Sequence, residues 1–212
     1  MCKLLLIGTG GHFRSVISCL DRTHYTEIAL IDFSDSIGQS REGLIIIGSD
    51  DDLPALYLRG YRHAFISIGS VGAPTVRQRI YQELKGIGFT LPSIIDKTAI
   101  IAEKSRIGEG VFVGKGCILN TGSSVGDCAI INTGSIVEHD TSIGDFCHIA
   151  TGCCLAGNMK VGPNTHVGIG SSAIQGVNIG ENSIIGAGSV VVHDIPANVV
   201  AMGIPCQPRR KR

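Results

Sequence analysis

The sequence predicts an α/β N-terminal Rossmann-like domain followed by a C-terminal left-handed parallel β-helix built from hexapeptide repeats. Three observations predict it. Aliphatic residues recur every sixth position from Ile95 to Val191, glycine is abundant at 29 of 212 residues, and the stretch before the repeat alternates apolar strands with helical segments. The division falls at 1–92 for the α/β domain and 93–212 for the repeat domain with its tail.

The first strand is read at Lys3–Gly8, a continuous apolar run, followed by Gly8-Thr9-Gly10-Gly11-His12 and a helix over roughly Phe13–Leu20. A second strand spans Glu27–Asp32 and a third Leu44–Gly48. Asp50–Arg59 reads as a helix with acidic residues at its start, which suits the positive end of the helix dipole. Ala64–Gly69 is a fourth strand, and Pro74–Lys85 a helix with proline near its first turn. Strands alternating with helices in this way give a small parallel, doubly wound sheet.

The glycine turn resembles a dinucleotide fingerprint whose last glycine is replaced by Phe13. Backbone N–H groups of Gly10, Gly11 and His12 at a helix start still form an anion site. Asp32 lies 24 residues after Gly8, where a ribose or base reader sits in such units. A tight turn without a ligand is the alternative at this level. The unit is short and no dehydrogenase-type domain follows, so a nucleotide diphosphate carrying a sugar fits the anion site better than a redox dinucleotide.

From Ile95 the six-residue step continues through Ile101, Ile107, Val113, Leu119, Val125, Ile131, Val137, Ile143, Ile149, Leu155, Val161, Val167, Ala173, Ile179, Ile185 and Val191. A helix needs apolar spacings of three and four, and a strand alternates with period two. Period six requires short strands joined by tight corners, each with one inward aliphatic. Three strands make a coil of 18 residues, and coils stack at about 4.8 Å, giving a prism roughly 27 Å tall. Small residues recur four positions after each aliphatic, among them Cys117, Ser123, Ser135, Thr141, Cys147, Ser171 and Ser183. Cys117, Cys147 and Cys153 therefore read as core fillers rather than nucleophiles. Glycine often follows the aliphatic directly and is expected to make the turns.

Eight scattered cysteines without a CxxC pair suggest free thiols in a reducing, cytoplasmic compartment. Zero net charge gives no electrostatic reason to expect nucleic acid or a membrane surface as partner. No apolar run reaches the length of a membrane span, and the start Met1-Cys2-Lys3-Leu4 lacks a signal-peptide design.

Four histidines fall on the prism. His139 and His193 share the third position of their hexads and lie 54 residues, three coils, apart. His148 and His166 share the sixth position and stack on adjacent coils. His139 has acidic neighbours on both sides in Val137-Glu138-His139-Asp140, and a carboxylate can fix its tautomer and stabilise its protonated form. Gly157 lies one coil beyond His139 in the same column, where its N–H suits an oxyanion donor.

Gly10-Gly11-His12, Asn132-Thr133-Gly134-Ser135-Ile136-Val137-Glu138-His139-Asp140, Ile143-Gly144-Asp145-Phe146-Cys147-His148-Ile149-Ala150 and Leu155-Ala156-Gly157 together resemble the NeuD/PglD-type sugar O- or N-acyltransferases, across nearly the whole chain. The resemblance implies an acetyl-CoA-dependent acyltransferase acting on an amino or hydroxyl group of a nucleotide-activated sugar for surface glycans. His139 would be general base with Asp140 as orienting partner. His148 and Gly157 would hold the acyl group of acetyl-CoA, and Asn132 would contact the reacting ends. Gly10, Gly11, His12 and Asp32 would hold the nucleotide of the sugar substrate. It also implies a homotrimer with sites between adjacent prisms, and no metal.

Phe13 departs from the family's small residue and is expected to alter the phosphate cradle. Gly203-Ile204-Pro205-Cys206 varies the usual closing motif. The basic end Arg209-Arg210-Lys211-Arg212 could meet the 3′-phosphate of coenzyme A, but reads as solvated and frayed. An O-acetyltransferase of sialic acid type belongs to the same reading. Two other classes share the prism. A γ-carbonic-anhydrase-like lyase needs three histidines converging on zinc at roughly 2.0–2.1 Å, with a spacing of five that is absent here. A non-catalytic sugar-nucleotide sensor would not need the Glu-His-Asp cluster.

Overall fold

The structure, a computed structural model, describes residues 2–212; Met1 lies outside them. The chain divides into two compact units, one running to Gly69 and resuming over Thr75–Pro92, the other made of Ser70–Pro74 and Ser93–Arg212. The short stretch Ser70–Pro74 therefore groups with the repeat.

The first unit runs β1 (Cys2–Ile7), α1 (Gly11–Cys19), β2 (Tyr25–Ile31), β3 (Ser40–Arg41), β4 (Leu44–Gly48), α2 (Leu53–Leu58), β5 (Tyr61–Ile66) and α3 (Thr75–Ile87). Its sheet has the order β3-β4-β2-β1-β5. The β1–β2, β1–β5 and β2–β4 pairings are parallel, and β3 pairs antiparallel with β4. Leu4, Leu5 and Leu6 of central β1 are all fully buried, as a strand covered on both faces requires.

Three details differ from the sequence reading. Helix α1 starts at Gly11, with Gly10 as its N-cap, so the glycine run is partly absorbed into the helix. The second helix is split. Ser49 and Asp52 form a capping box around the 3₁₀ turn Asp50–Asp52, and α2 follows with a proline in its first turn. The hairpin joining β3 to β4 was not anticipated. Its two turn residues, Glu42 and Gly43, both have positive φ, 48° and 77°, which matches the twist of two-residue hairpins.

In the second unit the strands from Ile94–Ile95 to Val190–Val191 have two residues each and stack in parallel at a step of 18 residues, as in Ile118↔Ile136↔Cys154↔Ser172. The strands form three sheets of six, five and eight members, the faces of a left-handed β-helix. The aliphatic plugs from Val113 to Val191 are buried in one continuous core. Ile95 in the first coil is 40% exposed, since an end coil has a stacking neighbour on one side only.

The small-residue column solves a polar problem. Ser135, Thr141 and Ser171 are fully buried, and each hydroxyl donates to the carbonyl 15 residues on, at Ala150 (2.8 Å), Ala156 (2.8 Å) and Gly186 (3.0 Å). The Cys117, Cys147 and Cys153 thiols donate likewise to Asn132, Gly162 and Gly168. Burial pushes the Cys153 thiol up to about 11, which suits a filler and not a nucleophile.

Glycine enters for two separate reasons, and the expected one is the minor part at the position after the plug. The left-handed corner lies three residues after each plug: Gly116, Gly122, Cys128, Gly134, Asp140, Phe146 and Gly152 all have φ between 52° and 73°. Glycine directly after the plug has an ordinary φ but no room. A Cβ on Gly162 would lie 2.5 Å from the Glu181 nitrogen, and one on Gly144 2.6 Å from the Pro163 nitrogen.

The basic C-terminus is not frayed. Gln207–Lys211 forms an antiparallel strand against Val199–Met202, and the Arg212 amide donates to the Asn198 carbonyl at 2.8 Å.

Two glycine variants separate the two requirements. Gly134→Ala meets nothing within 4 Å and should cost only the left-handed penalty, about 1–2 kcal/mol. Gly162→Ala forces coils apart and should cost clearly more in urea unfolding, or prevent folding; equal costs would contradict the close-approach account.

Candidate functional site

His139 stands at the corner between the six-stranded and five-stranded faces, between strands Ile136–Val137 and Ser142–Ile143. Asp140, next to it, occupies the left-handed corner with φ 59°. For a residue other than glycine that backbone is costly, and it turns the carboxylate back onto the imidazole. His139 Nδ1 lies 3.0 Å from Asp140 Oδ2. A carboxylate accepts, so the proton sits on Nδ1 and Nε2 is left with its lone pair.

The second acidic neighbour behaves differently from expectation. Glu138 turns to the previous coil and accepts from Asn120 Nδ2 at 3.0 Å, and from the His139 amide at 3.3 Å. Only Asp140 reaches the ring.

Gly157 lies one coil on, beneath the imidazole: a Cβ there would be 2.5 Å from His139 Nε2. Several N–H groups at this hexad position, on all three corners of the prism, take side-chain acceptors. Thr121 and Thr133 donate to the preceding asparagine, and Glu109 and Asp127 to an aspartate one coil on. Gly157 follows Ala156, which has no acceptor, and among the described residues its N–H donates to none. His193, in the same column, is exposed, and its neighbour Asp194 is engaged by the Asn178 amide at 2.7 Å. That column therefore holds one imidazole–carboxylate pair at His139 and none at His193.

His148 begins a strand of the eight-stranded face, so this chain does not bring it to His139 and Gly157. It is 9% exposed; Nδ1 is 2.7 Å from the Ser70 carbonyl, and Nε2 is 3.4 Å from Asn132 Nδ2. His166 on the next rung meets it edge to face, ring centres 4.8 Å apart. Both rings and Asn132 line a cavity of about 370 Å³, otherwise mostly walled by apolar groups including Val71, Ile169 and Ile184. Sequence spacing stacked His166 on His148 but did not single it out as a site residue. Ser70 and Val71 carried no signal, being about 78 residues away in the chain.

In the first unit, Gly10 caps α1 without a side-chain cap hydrogen bond, and Gly10 and Gly11 are exposed at the start of the helix that His12 continues. Asp32 accepts from the Thr9 amide at 2.9 Å and the Thr9 hydroxyl through one oxygen, and from the Phe33 amide at 2.8 Å through the other. Its carboxylate thus braces the glycine turn, with acceptor capacity left on Oδ1. Phe13 is buried in the unit's core, 1% exposed, and does not enter the cradle as expected.

Among the described residues no three His, Cys, Asp or Glu side chains are grouped to hold a metal ion. Among the same residues no helix is long and apolar enough to cross a membrane.

Residues 3–84 match the family described as PglD N-terminal domain, and residues 105–139 and 159–192 that described as hexapeptide repeat of succinyl-transferase. A search among curated proteins finds no match. Among solved structures, the chain is 36% identical to perosamine N-acetyltransferase from Caulobacter crescentus, solved with CoA and GDP-perosamine as a variant with one histidine replaced by asparagine. That match has a TM-score of 0.92 and covers 99% of this chain and 97% of the other. The acetyltransferase domain of PglB from Neisseria gonorrhoeae, solved with acetyl coenzyme A, is 31% identical over 98% of both chains, with a TM-score of 0.89. WeeI from Acinetobacter baumannii shares the fold at 22% identity, TM-score 0.85.

Burial, the neighbouring His148 and the charge of Arg212 push His166 down to about 4. It stays neutral when folded, while an unfolded imidazole near 6.5 takes a proton. Between those values the unfolded state binds more protons, so stability falls as pH drops from about 6.5 to 4, by on the order of 3 kcal/mol. Urea unfolding across this window should show the decline, and His166→Phe should remove most of its share.

Proposed function

We propose that this chain, which belongs to the NeuD/PglD-type family of hexapeptide-repeat sugar acyltransferases, transfers an acetyl group from acetyl-CoA to the amino group of a nucleotide-activated sugar. The observation that carries the proposal is the His139–Asp140 pair packed against Gly157, whose N–H has no acceptor among the described residues. Two relatives solved with CoA or acetyl coenzyme A, one also with GDP-perosamine, support the choice of co-substrates.

In this reading His139 Nε2 takes the proton of the sugar amine as its nitrogen attacks the thioester carbonyl carbon. Asp140 holds the ring in the required tautomer and offsets the charge it gains. The Gly157 N–H serves the developing oxyanion. As the tetrahedral species collapses, the C–N bond stays and the C–S bond breaks with its electron pair going to sulfur. The proton held by His139 passes to that thiolate, so free coenzyme A and the N-acetyl sugar leave.

Asn132 and His148 hold the acyl donor, and the anion site at Gly10, Gly11 and His12 holds the diphosphate of the nucleotide. Asp32 acts by shaping that turn. Because the His139 and His148 clusters lie on different parts of one prism, we assign the complete site to adjacent copies in a homotrimer, each contributing one cluster. The product feeds surface glycan assembly, and the chemistry suits the cytoplasm, where acetyl-CoA and sugar nucleotides are made.

A thiol-release assay with acetyl-CoA against UDP-, GDP- and dTDP-linked amino sugars and free sialic acid tests the activity. Release with a nucleotide-linked amino sugar is expected; release only with sialic acid would replace N- by O-acetylation, and none at all would refute acyl transfer. His139→Ala should lower kcat by about 10²–10⁴ while coenzyme A binding persists. Gly157→Ala should displace the imidazole and cut turnover while leaving the melting temperature nearly unchanged.

Mixing His139→Ala with His148→Ala subunits rebuilds one native site per mixed trimer if the site is shared. Recovered activity is the expected result, and its absence would contradict the shared site.

A further inference from the structure

His166 has no part in the chemistry described so far, yet it is the second imidazole of the cavity. It is 8% exposed, and its Nδ1 is sealed from solvent without a hydrogen-bond partner. Buried N–H groups without acceptors are rare in folded proteins, rarer than unsatisfied acceptors. The sealed Nδ1 is therefore the bare nitrogen, and the proton sits on Nε2. His148 carries the opposite tautomer: its Nδ1 lies 2.7 Å from the Ser70 carbonyl, which can only accept, so its Nε2 is the acceptor. Two adjacent rungs, His148↔His166 in register, thus bring a donor and an acceptor to one cavity wall among mainly apolar neighbours.

We propose that His166 is a positioning residue of the acyl-transfer site, donating from Nε2 to a neutral oxygen of a substrate group that enters this cavity. The inference rests on the acyl-transfer reading above for the identity of the substrates. A neutral donor inside an apolar pocket selects an uncharged acceptor oxygen, an amide carbonyl or a hydroxyl. Two substrates carry such oxygens, the pantetheine arm of coenzyme A and the sugar. Because the ring stays neutral through the physiological range, the donor is constant and the contact sets orientation rather than moving a proton.

The test compares His166→Phe, which fills the volume without a donor, with His166→Gln, which restores an N–H at similar reach. The readouts are calorimetric Kd for coenzyme A, KM for acetyl-CoA and for the sugar nucleotide separately, and kcat against pH. His166→Phe should fold, raise the Kd or KM of one substrate about tenfold, as for one lost hydrogen bond, and leave the other within twofold. His166→Gln should recover most of the loss, and the pH profile set by His139 should not move.

A change confined to coenzyme A assigns the oxygen to the pantetheine amide; one confined to the sugar nucleotide assigns it to a hydroxyl. Unchanged constants in His166→Phe, or no recovery in His166→Gln, would overturn the proposal. If His166→Phe does not fold, His166→Met replaces it in the same comparison. Histidine nitrogen NMR of the wild-type protein adds a check free of ligand: His166 should be protonated at Nε2 and His148 at Nδ1, and the reverse for His166 would overturn the assignment. Wild-type protein that binds coenzyme A but transfers nothing would refute acyl transfer while the Kd comparison still decided His166. If it binds neither substrate, both readings fall.

Discussion

The prism is governed by a single pairing rule: each residue sits beside the one 18 positions later, joined by backbone hydrogen bonds such as Ile118 N–H to the Ser135 carbonyl and Asn120 N–H to the Val137 carbonyl. The rule makes columns, and a column can hold only what its position allows. Inward positions take aliphatics, the corner takes a left-handed residue, and the position after the plug takes whatever clears the next coil. His139 can lean across to Gly157 because the rule makes them neighbours and glycine leaves the space. The imidazole–carboxylate pair is therefore a product of the coil register as much as of the residues themselves.

Much of this was legible in the sequence, since columns are periodic and periodicity survives without coordinates. The plugs, the buried thiols and the adjacency of His139 and Gly157 all follow from counting by six. What counting could not give is direction. Glu138 and Asp140 both flank His139, but only the left-handed corner at Asp140 turns a carboxylate onto the ring, while Glu138 is drawn to Asn120. The two uses of glycine were merged for the same reason, because a clash with the next coil and a positive φ leave the same letter in the sequence.

Contacts that do not respect the period were invisible. The stretch Ser70–Pro74 comes from the α/β part of the chain yet fixes the tautomer of His148 and supplies a wall of its cavity. Nothing in the local composition marks it. In the first unit, Phe13 looked like a change to the phosphate cradle because its neighbours are in it. The helix period instead carries it with Val16 and Ile17 into the core.

A stacked coil ends in an unsatisfied edge, which in principle lets a further coil, or another molecule, add on. The strand Gln207–Lys211 closes that edge on the eight-stranded face by running antiparallel, a direction that breaks the parallel progression. It carries Pro208 and three consecutive cations, Arg209, Arg210 and Lys211, all exposed. A proline lacks the N–H for the next pairing, and like charges on an incoming copy repel. The strand thus covers the edge of the last coil on that face and disfavours edge-to-edge pairing with another copy.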